Sequence, residues 1–126
     1  MDKPVTLLIV DDEEGVVRNL AAYFEDEGFK ILTAYSGEKA LDILDKNKID
    51  AAIVDMRLPG INGNEVVSQA FAQGNKVKFI IHTGSTDYKL PKILTEFGLT
   101  YNQVFLKPVA DMAQLKSAIL QLLAEQ

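Results

Sequence analysis

The sequence predicts an α/β fold, in which one doubly wound sheet of five parallel strands has helices on both faces. Short apolar runs, rich in β-branched residues, alternate five times with segments of helical periodicity. The chain has 126 residues, of which 48% are hydrophobic and 25% are charged, and this size and composition are typical of one globular domain. We therefore expect a single domain over residues 1–126, with the flavodoxin-like three-layer architecture.

The first half of the chain holds three of the predicted strands. These strands are Thr6–Val10, Lys30–Tyr35 and Ala51–Val54. Apolar residues at helical spacing predict a first helix from about Glu14 to Glu27, and Gly28 is suited to end it in a left-handed conformation. Ser36 is a suitable N-cap for a second helix. The apolar side chains of that helix are Ala40, Leu41 and Leu44.

The second half of the chain begins with a turn-rich loop at Leu58–Gly63. The apolar face of the third helix is Val66, Val67, Ala70 and Phe71, and the remaining strands are Val77–His82 and Gln103–Leu106. After a long loop, Gly84–Leu90, Pro91 fits the first turn of a fourth helix of about two turns. Asp111, with Gln114 three residues later, resembles a capping box at the start of the last helix. The inward-facing residues of that helix are Met112, Leu115, Ala118, Ile119 and Leu122.

The strand order 2-1-3-4-5 fits best, because it places the more polar second strand at an edge and uses right-handed crossovers. Asp11 and Asp12 then follow strand one, and Asp55 follows the neighbouring strand three. Like charges about 4 Å apart cost roughly 4 kcal/mol per pair at an effective dielectric constant of 20. Three converging carboxylates therefore predict a bound cation, a proton or a phosphoryl group. Thr83 and Lys107 end strands four and five at the same rim.

The composition excludes several classes of function. The net charge is −5 and no basic block is present, so we expect no direct binding of nucleic acid. The absence of cysteine rules out disulfides and thiolate zinc sites. No apolar stretch approaches membrane-spanning length, and the segment from Met1 to Pro4 lacks the features of a signal sequence. A cytoplasmic protein without membrane insertion is therefore expected.

Four motifs at strand ends occur together and in order. They are Val10-Asp11-Asp12-Glu13, Asp55-x3-Pro59-Gly60-x-Asn62-Gly63, Thr83-Gly84 and Lys107-Pro108. With these motifs, essentially the whole chain resembles the receiver domain of bacterial two-component response regulators, in the stand-alone form typical of chemotaxis regulators. Each motif alone is weak evidence, whereas the full set at this spacing is highly specific.

The resemblance implies a role for each site residue. Asp55 is the expected phosphoryl acceptor, a carboxylate nucleophile that attacks phosphorus in line. Asp12, Asp55 and the backbone carbonyl of Arg57 are the expected ligands of Mg²⁺ or Mn²⁺, and Asp11 acts partly through water. Thr83 is the expected switch residue.

Lys107 is the expected cation next to the phosphoryl group and the carboxylates, and the resemblance implies a cis bond to Pro108. The Arg57 side chain has two equally weighted roles, either tuning the lifetime of the phosphoryl group or forming a surface pair with Glu13 or Glu14.

The chain departs from the family at three places. Val104 stands where receivers usually have an aromatic residue, three positions before the lysine, and alternation turns Phe105 to the opposite face. The proline-started fourth helix and the segment Leu99–Asn102 are also unusual. His82 is the only histidine, and alternation points it away from Thr83, so we expect a packed or partner-facing residue rather than a catalytic one.

The resemblance implies a signalling module that accepts phosphate from a histidine kinase or a phosphotransfer protein and is recognised by an unidentified downstream protein. Such a module catalyses only its own phosphotransfer and slow dephosphorylation, so it is not expected to be an enzyme. One alternative is a Mg²⁺-dependent phosphohydrolase with an aspartyl-phosphate intermediate. Haloacid-dehalogenase phosphatases, which work in this way, have an Asp-x-Asp pattern after strand one. This chain has Asp-Asp-Glu-Glu there, which argues against that alternative. A phosphorylation-dead interaction domain and a receiver domain excised from a larger kinase or regulator are further alternatives.

Overall fold

The computed structural model describes residues 3–125, so the predictions about Met1, Asp2 and the last residue of the 1–126 domain lie outside the described residues. Five parallel strands form one sheet in the order β2-β1-β3-β4-β5. The strands are β1 (Thr6–Val10), β2 (Lys30–Ala34), β3 (Ala51–Asp55), β4 (Lys78–Thr83) and β5 (Val104–Leu106). The predicted fold class and strand order are confirmed.

Five helices cover the two faces of the sheet. They are α1 (Glu14–Asp26), α2 (Gly37–Lys46), α3 (Gly63–Ala72), α4 (Lys92–Glu96) and α5 (Met112–Ala124). Helices α1 and α5 pack on one face, and α2, α3 and α4 pack on the other, so the sheet lies between two apolar cores. Within residues 3–125, no helix combines the length and the apolar character that crossing a bilayer requires.

Strand alternation divides the inner side chains between the two cores. Along β1, Leu7 and Ile9 belong to the core under α1 and α5, whereas Leu8 and Val10 belong to the core under α2, α3 and α4. Every residue of β3 is buried, whereas Ala34 is the only buried residue of the edge strand β2, as the more polar sequence of β2 predicts. Because all strands are parallel, their carboxyl ends meet at one rim of the sheet.

Two helix ends form as the sequence predicts. Gly28 has φ +88°, the left-handed conformation expected after α1. The Ser36 hydroxyl accepts the Lys39 N–H at 3.2 Å and caps α2.

The prediction of a capping box at α5 is wrong. Asp111 accepts the Ala113 N–H at 2.9 Å, so it forms a simple N-cap without the reciprocal arm from Gln114.

The capping boxes occur elsewhere. Asn62 and Glu65 form one at α3, and Thr100 and Gln103 form another at the 3₁₀ turn Tyr101–Gln103. Gln103, which the sequence predicts to begin the fifth strand, therefore belongs to this turn. The Gln103 side chain donates to the Phe79 carbonyl at 2.9 Å.

The fourth helix is shorter than predicted. Pro91 is its N-cap rather than a first-turn residue, since its ψ of 147° is extended. The helix proper therefore has five residues and ends before Gly98, which has φ +100°.

Candidate functional site

Three carboxylates lie together at the carboxyl rim of the sheet. One oxygen each from Asp11, Asp12 and Asp55 lies within 4.8 Å of the others. Asp11 and Asp55 are almost fully buried, with 1% and 4% of their surface exposed, whereas Asp12 is exposed. Oxygen-only donors at this spacing fit a hard divalent cation such as Mg²⁺, which needs few protein ligands and retains waters on its open side. The sequence-predicted aspartates are thus brought to one place.

Lys107 lies over the two buried carboxylates. Its Nζ is 2.7 Å from Asp11 Oδ2, 3.4 Å from Asp55 Oδ2 and 3.7 Å from Glu13 Oε1, and only 15% of its side chain is exposed. Burial lowers the pKa of Lys107, but the Asp11 hydrogen bond and the charge of Asp55 outweigh it, so the net pKa is raised. The ammonium therefore stays charged and partly neutralises the site.

The backbone holds Lys107 at this rim. Its N–H donates to the Thr83 carbonyl at 2.8 Å, which joins the ends of β4 and β5. The Lys107–Pro108 bond is cis, as the resemblance implies.

Asp55 ends the fully buried strand β3. Its Oδ1 accepts the Arg57 N–H at 3.4 Å, and its Oδ2 faces Lys107. Burial and the nearby charge of Asp11 raise the pKa of Asp55, and Lys107 and the Arg57 N–H oppose that shift. The ionised carboxylate is therefore poorly solvated, so an additional cation at this rim favours its charged form.

Gly63, at the start of α3, allows the backbone to pass close to the acceptor. A Cβ at this position would overlap the Asp55 carbonyl oxygen and the end of the Met56 side chain. The Gly63 N–H also donates to the Met56 carbonyl at 3.1 Å, which closes the loop between β3 and α3. Gly63 therefore has a structural role, since only a residue without a Cβ allows this close approach.

Helix α2 supports the same loop from the other side. A Glu38 carboxylate oxygen accepts the Ile61 N–H at 3.2 Å, and the carboxylate packs on Gly60, which has φ +75°. The sequence reasoning missed Glu38 because nothing local links it to a loop that follows 23 residues later. It also missed the box of Asn62 and Glu65, although the Asn-x-x-Glu pattern is a recognisable signal.

The Arg57 side chain is exposed, and its backbone N–H contacts Asp55. Of the ion pairs formed by residues 3–125, none joins Arg57 to Glu13 or Glu14, the surface pair that the sequence allowed. Glu13 instead approaches Lys107.

Thr83 is the last residue of β4 and is buried. Its Oγ1 accepts the Ser85 N–H at 3.1 Å, which leaves the hydroxyl proton available for an acceptor at the rim. Val104 packs in the core under α2, α3 and α4, and Phe105 packs in the opposite core, so the predicted alternation is confirmed.

His82 is buried next to the site, with 4% of its surface exposed. Neither ring nitrogen has a hydrogen-bond partner within the described chain. Burial and the charge of Lys107 lower the pKa of His82 to about 4, against the opposing influence of Asp11. The imidazole is therefore neutral at physiological pH, consistent with the packed residue that the sequence predicts.

Comparison with known proteins identifies relatives of this chain. Residues 7–120 match the family described as the response regulator receiver domain. The response regulator SaeR of Staphylococcus aureus (strain USA300) is 40% identical over 80 residues, which are 64% of this chain and 35% of SaeR. The match therefore spans about a third of the length of that curated relative.

Solved structures resemble the whole fold. The CheX–CheY–BeF3–Mg²⁺ complex from Borrelia burgdorferi contains a chain 26% identical, with a TM-score of 0.83, covering 94% of this chain and 89% of that one. The response regulator protein TrrA from Thermotoga maritima, in complex with Mg²⁺ and BeF, is 26% identical with a TM-score of 0.81 and covers 94% and 98%. A CheY-like receiver domain from Methanospirillum hungatei shares the fold, with a TM-score of 0.83 and 24% identity. The match covers 98% of this chain and 96% of that one.

Proposed function

The chain belongs to the response regulator receiver family of two-component systems, and on that premise we propose that it accepts a phosphoryl group on Asp55 in the presence of Mg²⁺ or Mn²⁺. The donor is a histidine kinase or a histidine phosphotransfer protein. The phosphorylated chain then signals to a downstream protein through a conformational switch, and it neither binds nucleic acid directly nor turns over an external substrate.

The observation that carries this proposal is the position of Lys107 between Asp11 and Asp55, with Asp12 beside them. Such a site stabilises negative charge arriving from outside only if its own carboxylates are first neutralised. Lys107 supplies one positive charge. We expect Asp12, Asp55 and the Arg57 carbonyl to hold a divalent cation that supplies the rest. When bound, the cation neutralises charge on the carboxylates and the transferring phosphoryl group.

The chemical step requires little of the protein beyond orientation and electrostatics. An Asp55 carboxylate oxygen attacks phosphorus, an O–P bond forms, and the bond from phosphorus to the donor imidazole breaks. The imidazole leaves with the electron pair and takes up a proton from solvent. Lys107 and the Thr83 hydroxyl donate hydrogen bonds to the phosphoryl oxygens. Arg57 follows Asp55 by two residues and its side chain is exposed. We propose that its guanidinium limits access of water to the acyl phosphate.

Two relatives of known structure support a separate protein partner and a cation. CheY of Borrelia burgdorferi forms a complex with CheX, BeF3 and Mg²⁺, and TrrA forms one with Mg²⁺ and BeF. Both resemble this chain over nearly its whole length. We propose the corresponding metal and phosphoryl chemistry for residues 1–126, treated as one receiver domain.

Acetyl phosphate with Mg²⁺, followed by intact-mass measurement, tests this proposal. We expect the parent to gain one phosphoryl group, and we expect chelation of the metal to prevent the gain. Asp55→Asn keeps the shape but removes the nucleophile, so it is expected to remain unmodified. Asp50→Asn is the matched control, because Asp50 lies at the opposite rim, where its carboxylate accepts the Thr6 N–H at 2.8 Å. Modification of Asp55→Asn at the parent rate would refute the assignment of the acceptor.

A further inference from the structure

The loop from Gly84 to Leu90, which joins β4 to α4, is fastened at two points by tyrosine hydroxyls. The Tyr88 hydroxyl donates to Asn64 Oδ1 at 2.7 Å. The Leu90 N–H donates to the Tyr101 hydroxyl oxygen at 2.9 Å. Tyr88 belongs to the loop itself, whereas Tyr101 lies in the 3₁₀ turn that precedes β5. The loop is therefore bound on two sides to other elements of the domain.

Both fastening points lie on elements that carry site residues. Asn64 is the second residue of α3, directly after Gly63, which packs on the Asp55 carbonyl. Tyr101 lies in the turn that leads into β5, and β5 ends next to Lys107. The two hydrogen bonds thus tie the loop to the acceptor side of the rim and to the lysine side.

The inner end of the same loop holds Thr83. The Ser85 N–H donates to Thr83 Oγ1 at 3.1 Å, and the Tyr88 N–H donates to the Ser85 carbonyl at 3.3 Å. A hydroxyl has one proton and two lone pairs, so accepting from Ser85 orients the Thr83 hydroxyl and leaves its proton free to be donated. The position of Ser85 therefore restricts the directions in which that proton can point, and the turn that ends at Tyr88 helps to hold Ser85 in place.

We propose that Tyr88 and Tyr101 are positioning residues for Thr83. They hold the Gly84–Leu90 loop so that the Thr83 hydroxyl is directed to the oxygens of a phosphoryl group on Asp55. Neither tyrosine touches the phosphoryl group. This inference rests on the proposed function, since it assigns how the phosphorylation site keeps its hydroxyl donor in place.

The two tyrosine hydrogen bonds differ in their surroundings. Tyr88 is half-buried against the core under α2, α3 and α4, and burial together with the Tyr101 interaction raises the pKa of Tyr88 to about 12. Its hydroxyl is therefore protonated and able to donate at all physiological pH values. Tyr101 is 59% exposed, so water competes for its hydroxyl oxygen. The Tyr88 bond is therefore expected to contribute more to holding the loop.

Beryllofluoride with Mg²⁺, titrated by calorimetry, tests the proposal. Phenylalanine removes only the hydroxyl, so the variants are Tyr88→Phe and Tyr101→Phe. Exposed Tyr35, replaced in the same way, is the matched control. We expect Tyr88→Phe to weaken beryllofluoride binding roughly fivefold, Tyr101→Phe to weaken it less, and Tyr35→Phe to leave it unchanged. In a Thr83→Ala background, both tyrosine effects are expected to disappear, because there is no hydroxyl left to position.

Hydrogen exchange of the Leu90 amide gives a second readout, which needs no ligand. Tyr101→Phe removes its acceptor, so its exchange is expected to quicken, whereas Tyr35→Phe leaves it unchanged. This inference would be overturned if both tyrosine variants bound beryllofluoride as tightly as the parent. It would also be overturned if the tyrosine substitutions weakened binding equally with and without the Thr83 hydroxyl. Either result would leave the phosphoacceptor role of Asp55 intact. A parent that binds no beryllofluoride would overturn both.

Discussion

Acidification is expected to destabilise the fold through the buried ring of His82. The pKa of this imidazole is lowered from 6.5 to about 4 in the folded chain. Between these values the unfolded chain binds a proton that the folded chain rejects, so the free energy of unfolding falls as the pH falls. At about 1.4 kcal/mol per pH unit, the full effect is about 3 kcal/mol, a large part of the stability of a domain. This contribution is absent above pH 6.5 and is complete near pH 4.

The effect is measured by urea unfolding at a series of pH values in the presence of a chelator. His82→Leu removes the titrating ring, so its stability relative to the parent is expected to rise by about 3 kcal/mol between neutral pH and pH 4. The raised pKa of Asp55 acts in the opposite direction, since the folded chain then binds the extra proton on acidification. Asp55 is present in both proteins, so its contribution largely cancels in the comparison.

A direct measurement uses the ring resonances of His82, which is the only histidine. We expect no titration in the folded protein between pH 7 and pH 5. A folded-state midpoint near 6.5, or parallel pH profiles of the parent and His82→Leu, would refute the conclusion that burial keeps this ring neutral.

Three further predictions concern the rim of the sheet. Asp12→Ala removes one of three mutually repelling carboxylates, so the melting temperature without metal is expected to rise. The stabilisation by Mg²⁺, about 2.7 kcal/mol at 100 times Kd, is expected to vanish. An unchanged response to Mg²⁺ would contradict the assignment of Asp12 as a ligand. Arg57→Ala is expected to change the decay rate of phosphorylated Asp55 severalfold without blocking its formation, and an identical decay rate would exclude shielding. Gly63→Ala is expected to cost about 2 kcal/mol or more in urea unfolding, because its Cβ meets the acceptor backbone. Gly15→Ala, where a Cβ has open space, is its control and is expected not to destabilise the chain.

The positions of Asp55 and Lys107 were predictable because they follow from where strands end. An apolar run marks a strand, parallel strands share one rim, and the residues after them must meet there. Helix caps were less predictable. The same spacing of acceptor and Gln or Glu forms a box at Asn62 but not at Asp111. Each cap contributes only about 1 kcal/mol, so side-chain alternatives of similar energy decide the outcome.

The contacts that fasten the loops were not predictable from one sequence. Glu38 reaches Ile61 across 23 residues, and Tyr88 reaches Asn64 across 24. Such contacts depend on packing distances between elements rather than on any local periodicity, and each uses a single polar atom. Sequence patterns therefore locate the chemical groups of the site, whereas the framework that orients them is visible only in the three-dimensional structure.

The short final strand has a consequence for self-association. β5 has only three residues and is followed closely by Pro108, which has no N–H to offer a pairing strand. At the opposite edge, β2 has five residues and begins with the exposed Lys30, whose charge disfavours an added strand. Both borders of the sheet are thus poor templates for strand addition. The open sheet is in this way protected at both edges from edge-to-edge aggregation.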